Sequence, residues 1–178
     1  MNTSENTDFI NKIIQTLKRK LDRAKFRHSL GVARTARALA EKFNYPEEPA
    51  YLAGLLHDFG RSARPSLEHG QISASLAKKF FGIRDKKILQ AIQRHTLGAP
   101  YPLMTKLDKI IFLADAIAPD RRFPESKKLR YLAFRNLDRA MFVACRNKLI
   151  YVLKKKRPLD HRGVSVYNSF LLKYRKGA

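Results

Sequence analysis

Apolar residues return every three or four positions through most of the chain. Ile10, Ile13, Ile14, Leu17 and Leu21 form one stripe, and Leu30, Ala33, Ala36, Leu39, Ala40 and Phe43 form a second. That spacing marks one face of an α-helix. Alternating runs of period two are scarce. Helix breakers mark the joints: Asn44-Tyr45-Pro46 closes the second segment, and Pro49 stands near the start of a third that carries Leu52, Leu55 and Leu56. Residues 60–65 read as a loop. The pattern then predicts a helix over 70–81, stopped by Gly82, and another that Asp85 can cap, carrying Ile88, Leu89 and Ile92 toward His95. After a second loop at 98–102, residues 103–118 are apolar on more than one face through Leu107, Ile110, Ile111, Phe112, Leu113 and Ala114, which predicts a central, buried helix. Pro119 and Pro124 bracket a basic turn. One long amphipathic segment follows from Ser126 through Leu129, Leu132, Leu137, Met141, Ala144, Cys145, Leu149 and Val152 to the run Lys154-Lys155-Lys156-Arg157-Pro158. A short helix over about 164–174 ends the chain. The expected class is all-α, a helical bundle.

A chain of 178 residues suffices for one full core and is short for two domains. Residues 1–8 are polar ahead of any apolar period and read as a flexible N-terminus, which leaves residues 9–178 as a single helical domain. No apolar run approaches the roughly 18 residues of a membrane span, so no membrane partner is expected. The single cysteine, Cys145, permits no intrachain disulfide, and the expected location is the cytoplasm. Cys145 itself lies on an apolar helix face and reads as core packing.

Charge changes this picture. The chain has 37 Lys and Arg against 15 Asp and Glu, a formal charge of +22. A field of that size favours nucleotides, polyphosphates, nucleic acid or acidic lipid over neutral ligands without choosing among them. No aromatic platform accompanies the 154–157 run, so nucleic acid is expected only as an unspecific partner. A homodimer is compatible with the sequence.

The chemistry gathers on histidines and aspartates. Of five histidines, His28, His57, His69 and His95 lie beside or inside apolar helical segments, while His161 sits in an Asp160-His161-Arg162-Gly163 turn and reads as a loop or cap residue. His57 and Asp58 end the apolar run 52–56, and Asp115 follows the run 110–114. An unpaired buried carboxylate costs several kcal/mol, and a cation is one of the few groups that compensates it. Mixed imidazole and carboxylate donors suit Fe, Mn or Zn better than Ca or Mg, and without cysteine pairs the site is expected to be catalytic rather than structural.

The order His28, His57-Asp58, Asp115 resembles the HD superfamily of phosphohydrolases. Further stretches are similar to its YqeK-type branch, the symmetrical bis(5′-nucleosyl)-tetraphosphatases: Arg27-His28-Ser29-Leu30-Gly31-Val32-Ala33, Glu68-His69-Gly70, His95-Thr96, Pro119-Asp120-Arg121 and the late Tyr167-Asn168. The resemblance runs over about 26–168. It implies a helical HD domain with two transition-metal ions, iron first, with manganese or zinc as alternatives. It further implies that a metal-bridged hydroxide cuts diadenosine tetraphosphate in line into two ADP. On the family pattern His28, His57, Asp58 and Asp115 hold one metal, and His69 and His95 hold the other with Asp58 bridging. Arg61, Lys109 and Arg121 are candidate phosphate clamps, beside Asp58 as a catalytic residue. Two positions depart from the pattern: Arg61 stands where the family usually has lysine, and Ala118 where it often has glutamate. Competing expectations are another HD-type nucleotide or alarmone phosphohydrolase, and a basic nucleic-acid-binding protein on an HD scaffold.

Overall fold

In the computed structural model, which describes residues 3–61 and 68–176, nine helices and no strand occur among the described residues: α1 Thr3–Lys20, α2 Arg23–Lys42, α3 Glu47–Leu56, α4 His69–Phe81, α5 Lys86–Arg94, α6 Lys106–Ile117, α7 Ser126–Ala133, α8 Leu137–Lys154 and α9 His161–Lys176. The all-α expectation holds. The ends follow local chemistry. Asp22 caps α2 by accepting from the Lys25 N–H at 2.8 Å, and Asp85 caps α5 through Lys87 N–H at 2.7 Å. Gly82 closes α4 at a φ of 66°, a left-handed conformation that glycine adopts without strain.

Three boundaries differ from the pattern reading. The polar residues 3–8 are helical rather than a loose end; Glu5 favours the N-terminal turn of α1 by charge, and the polar side chains described there stay solvated. The segment after Ser126 is two helices, because Asn136 accepts from the Arg139 N–H at 2.9 Å and starts α8 afresh. The last helix begins at His161, three residues before 164, where Asp160 accepts from the Arg162 N–H at 2.8 Å. His161 itself is 93% exposed.

The expectation of a central helix holds. α6 packs on α2, α3, α5, α7 and α8, and Ile110, Ile111, Leu113 and Ile117 are fully buried. Each such side chain contributes about 1.5–3 kcal/mol by leaving water. The Thr105–Asp108 capping box fixes where α6 starts, and therefore where Asp115 emerges one turn before its end. α3 lies hard against α2: a Cβ on Gly54 would stand 2.9 Å from the Ala33 Cα, so only glycine allows the approach that brings His57 beside His28. Cys145 is buried, and burial pushes its thiol up to about 12, as core packing requires. No helix among the described residues is long and apolar enough to cross a membrane.

Candidate metal centre and cleft

Five elements deliver the predicted ligands to one place. His28 comes from the buried face of α2, His57 and Asp58 from the turn that ends α3, His69 from the first residue of α4, His95 from the end of α5, and Asp115 from α6. His28, His57 and Asp58 offer donor atoms within 4.8 Å of one another, and so do Asp58, His69 and His95. Asp58 is common to both groups. Asp115 stands beside the first group, its Oδ1 3.0 Å from His28 Nε2.

The imidazoles are set in one sense. His57 donates from Nδ1 to the Gly54 carbonyl at 2.7 Å, and His95 donates from Nδ1 to the Ile92 carbonyl at 2.7 Å. A carbonyl only accepts, so in the neutral rings Nδ1 carries the proton and Nε2 presents a lone pair. His28 makes the same arrangement with a carboxylate, its Nδ1 lying 2.9 Å and 3.0 Å from the two oxygens of Asp120. Outer partners of this kind are those that orient the rings of metal-binding histidines in general.

The Nε2 atoms and carboxylate oxygens then meet at short range. Asp58 Oδ1 is 3.1 Å from His69 Nε2 and 3.4 Å from His95 Nε2, and Asp58 Oδ2 is 3.6 Å from His57 Nε2. The buried His57 Nε2 has no hydrogen-bond partner among the described residues. Burial holds the His57 imidazole down to about 4. Burial would raise the Asp58 carboxyl, yet the surrounding imidazoles of His69, His95 and His57 hold it well below the ordinary carboxylate range. Asp115 is likewise held down, by His28 and Arg121 against its own burial. Imidazole nitrogens converging on buried carboxylates fit cations, and the donor set is one that transition metals prefer.

Two of the three expected phosphate clamps lie at this site. Arg61 donates to Asp58 Oδ2 at 2.8 Å. Arg121 donates to the Asp115 carboxylate, and from Nε to the Asp115 carbonyl at 3.0 Å. Lys109 is elsewhere: its ammonium binds Asp138 Oδ1 at 2.6 Å, Lys173 binds the other oxygen, and the trio ties α6, α8 and α9 together. Lys109 does not line the cavity, because it and Asp115, six residues apart, project from different sides of α6.

That cavity, about 710 Å³, opens over His69, His95 and Asp115 and runs along α8 to Tyr151, Lys154 and Arg157, a size typical of small-molecule sites. Pattern reading missed three of its contributors. Asp120 and Thr96 were visible only as parts of Pro119-Asp120-Arg121 and His95-Thr96. Thr96 brings its hydroxyl 3.0 Å from His69 Nε2. Lys148, on α8, donates to the Thr96 carbonyl; its only signal was the helical spacing that joins it to Ala144 and Tyr151.

Comparison with known proteins agrees with this geometry. The family described as HD domain matches residues 26–120. A symmetrical bis(5′-nucleosyl)-tetraphosphatase of Bacillus subtilis (strain 168) is 31% identical over 173 residues, which cover 85% of this chain and 92% of the relative. Its namesake from Halalkalibacterium halodurans is 32% identical, covering 90% and 96%. The crystal structure of a "predicted HD superfamily hydrolase involved in NAD metabolism" from Clostridium acetobutylicum superposes with a TM-score of 0.82 at 31% identity, covering 92% of this chain and 97% of that one.

Proposed function

The chain belongs to the HD domain family, and from that premise we propose that it is a metal-dependent phosphohydrolase that cuts dinucleoside tetraphosphates symmetrically, diadenosine tetraphosphate into two ADP. The observation that carries this reading is the convergence of histidine Nε2 atoms on Asp58 beside a cationic cleft that His69, His95 and Asp115 line. His28, His57, Asp58 and Asp115 would hold one ion and Asp58, His69 and His95 the other, with iron the first choice and manganese or zinc the alternatives. Bound there, a pair of such ions supplies Lewis acidity, acidifying water for attack on phosphorus and neutralising charge on the departing oxygen.

The chain's own residues do the rest. Asp120, Gly54 and Ile92 fix the ring orientation of His28, His57 and His95 through their Nδ1 atoms. Arg61 and Arg121 border the cavity with their guanidiniums against Asp58 and Asp115, where a polyphosphate in the cavity meets planar, permanently charged donors. Phe123, Pro124 and Leu129 add apolar surface to the lining of the cavity, and charge interactions are stronger beside such surface than in open water.

Metal analysis of protein purified without chelator, paired with a product-resolved assay on diadenosine tetraphosphate, tests the reading. Bound transition metal, ADP as sole product, and loss of both in His57→Ala are the expected results. AMP with ATP as products, or no cleavage after reconstitution with ferrous iron or manganese, would overturn it.

A further inference from the structure

One wall of the cleft is a single face of α8. Ala144, Asn147, Lys148, Tyr151 and Lys154 recur at helical spacing and all line the cavity. This wall is charged in a way that the metal centre does not use. Six cations border the cavity: Arg61, Arg121, Arg122, Lys148, Lys154 and Arg157. Asp58 and Asp115 hold the first two. The other four form no ion pair with a carboxylate among the described residues, and the one further acid beside Asp115 and Asp120 on the lining is the exposed Glu125.

Lys148 is the innermost of these. Its ammonium donates to the carbonyl of Thr96, the residue after His95, and lies 4.8 Å from the centre of the Phe112 ring. An ammonium has three donors. One is fixed on Thr96, and no carboxylate claims the others. Tyr151 follows one turn later, about 4.5 Å further along the helix axis. The residue is 56% exposed, so it offers ring surface to a planar ligand. Lys154 comes after another turn. A cation one turn before an exposed aromatic ring suits a nucleoside diphosphate, which carries its phosphates at one end and a planar base at the other.

We propose that this face of α8 is the subsite for the departing nucleoside diphosphate, with Lys148 holding its phosphates and Tyr151 stacking on its base, inside the cationic field of Lys154 and Arg157. The identity of the ligand rests on the phosphohydrolase reading above; the placement of the subsite rests on α8 alone. Charge-assisted hydrogen bonds to phosphate and base stacking on tyrosine are each worth enough to move affinity by about an order of magnitude.

Calorimetric titration of the metal-loaded protein with ADP, and separately with inorganic pyrophosphate, tests the subsite. The wild type is expected to take two ADP per chain, one at the metals and one on α8. Lys148→Gln is expected to weaken one of the two by about tenfold and pyrophosphate in parallel, with metal content unchanged. Tyr151→Ala is expected to weaken ADP at that same site and leave pyrophosphate unaffected. A wild type that takes a single ADP, or variants whose affinities stay within about twofold of wild type, would overturn the subsite even where diadenosine tetraphosphate is cleaved as expected. A protein that binds the second ADP through Lys148 and Tyr151 yet cleaves no dinucleoside polyphosphate would support the subsite and overturn the assigned reaction instead.

Discussion

His69 and His95 meet nitrogen to nitrogen, Nε2 to Nε2 at 2.9 Å. The Ile92 carbonyl takes the Nδ1 proton of His95, so its Nε2 brings a lone pair, and Asp58 Oδ1 lies 3.1 Å from the first ring and 3.4 Å from the second. The Thr96 hydroxyl, 3.0 Å and 3.1 Å from the two nitrogens, can give its one proton to only one of them, whereas a cation takes a lone pair from both nitrogens and from the carboxylate at once. His69→Ala and His95→Ala are therefore each expected to lower the bound metal by about one ion per chain and to remove hydrolysis. Elemental analysis of the purified variants checks this, and a metal content equal to wild type would take the pair out of the metal centre.

Asp120 gives a graded version of the same experiment. Half exposed, it contributes no donor to either ligand group and touches the centre only through His28 Nδ1. Asp120→Asn keeps the shape but loses the charge that makes His28 a strong ligand, so metal affinity is expected to fall by about 10- to 100-fold with little change in the fold. Competition against a chelator of known affinity measures it. Excess metal should restore most of the activity, which separates this effect from a loss of phosphate binding.

Part of the candidate metal centre was legible in the sequence because some of its residues end an apolar helical run, and burial of an ionisable group is a strong constraint. His57-Asp58 after 52–56 and Asp115 after 110–114 show this most clearly. Periodicity was a weaker guide elsewhere. It carried one helix across residues 134–136, where the Asn136 cap outweighs a continuing apolar stripe. It also gave no means of telling Lys109 from Lys148: both are lysines on amphipathic helices, and only packing shows that one faces Asp138 and the other the cleft.

Those two lysines yield opposite expectations. Lys109→Ala breaks a partly buried ion pair with Asp138 that joins α6 to α8, so a stability loss of about 1 kcal/mol is expected with kcat/KM close to wild type. Arg121→Ala removes a guanidinium from the edge of the centre, and kcat/KM should fall by about 100-fold with a smaller effect on unfolding. Denaturant titrations beside steady-state kinetics distinguish them. A Lys109 variant as inactive as the Arg121 variant would return Lys109 to the phosphate site.

Acid should loosen the metal-free protein through His57. Burial holds this imidazole at about 4 in the folded chain against an ordinary 6.5. Above pH 6.5 the ring is neutral in both states and adds no pH dependence. Between pH 6.5 and 4 the unfolded chain takes the proton first, so stability is lost, by about 3 kcal/mol at the lower end. His28 opposes this: although burial lowers its pKa, Asp115 and Asp120 raise it on balance, so its protonation favours the folded state. Chelator-treated His57→Asn, compared with wild type by urea unfolding at each pH, should show the shallower decline over this window. Parallel curves would mean that His57 is not the group responsible.

Gly70 couples the fold to the chemistry most tightly. A Cβ at this position would stand 2.7 Å from the Gln93 carbonyl oxygen and 3.0 Å from that of Ile92, both backbone atoms of α5. The helix cannot yield there without moving. Since the Ile92 carbonyl is also what orients His95, and Gly70 directly follows His69, the added methyl pushes apart the two elements that hold the second ligand group. Gly70→Ala is expected to cost about 1–3 kcal/mol and to lose metal and activity together. Gly82→Ala is the control. Its φ of 66° makes alanine unfavourable by about 1 kcal/mol, but nothing lies within 4 Å of the new Cβ, so its metal content and kcat/KM should match wild type. Equal metal loss in the two variants would show that the centre responds to general destabilisation rather than to the α4–α5 approach.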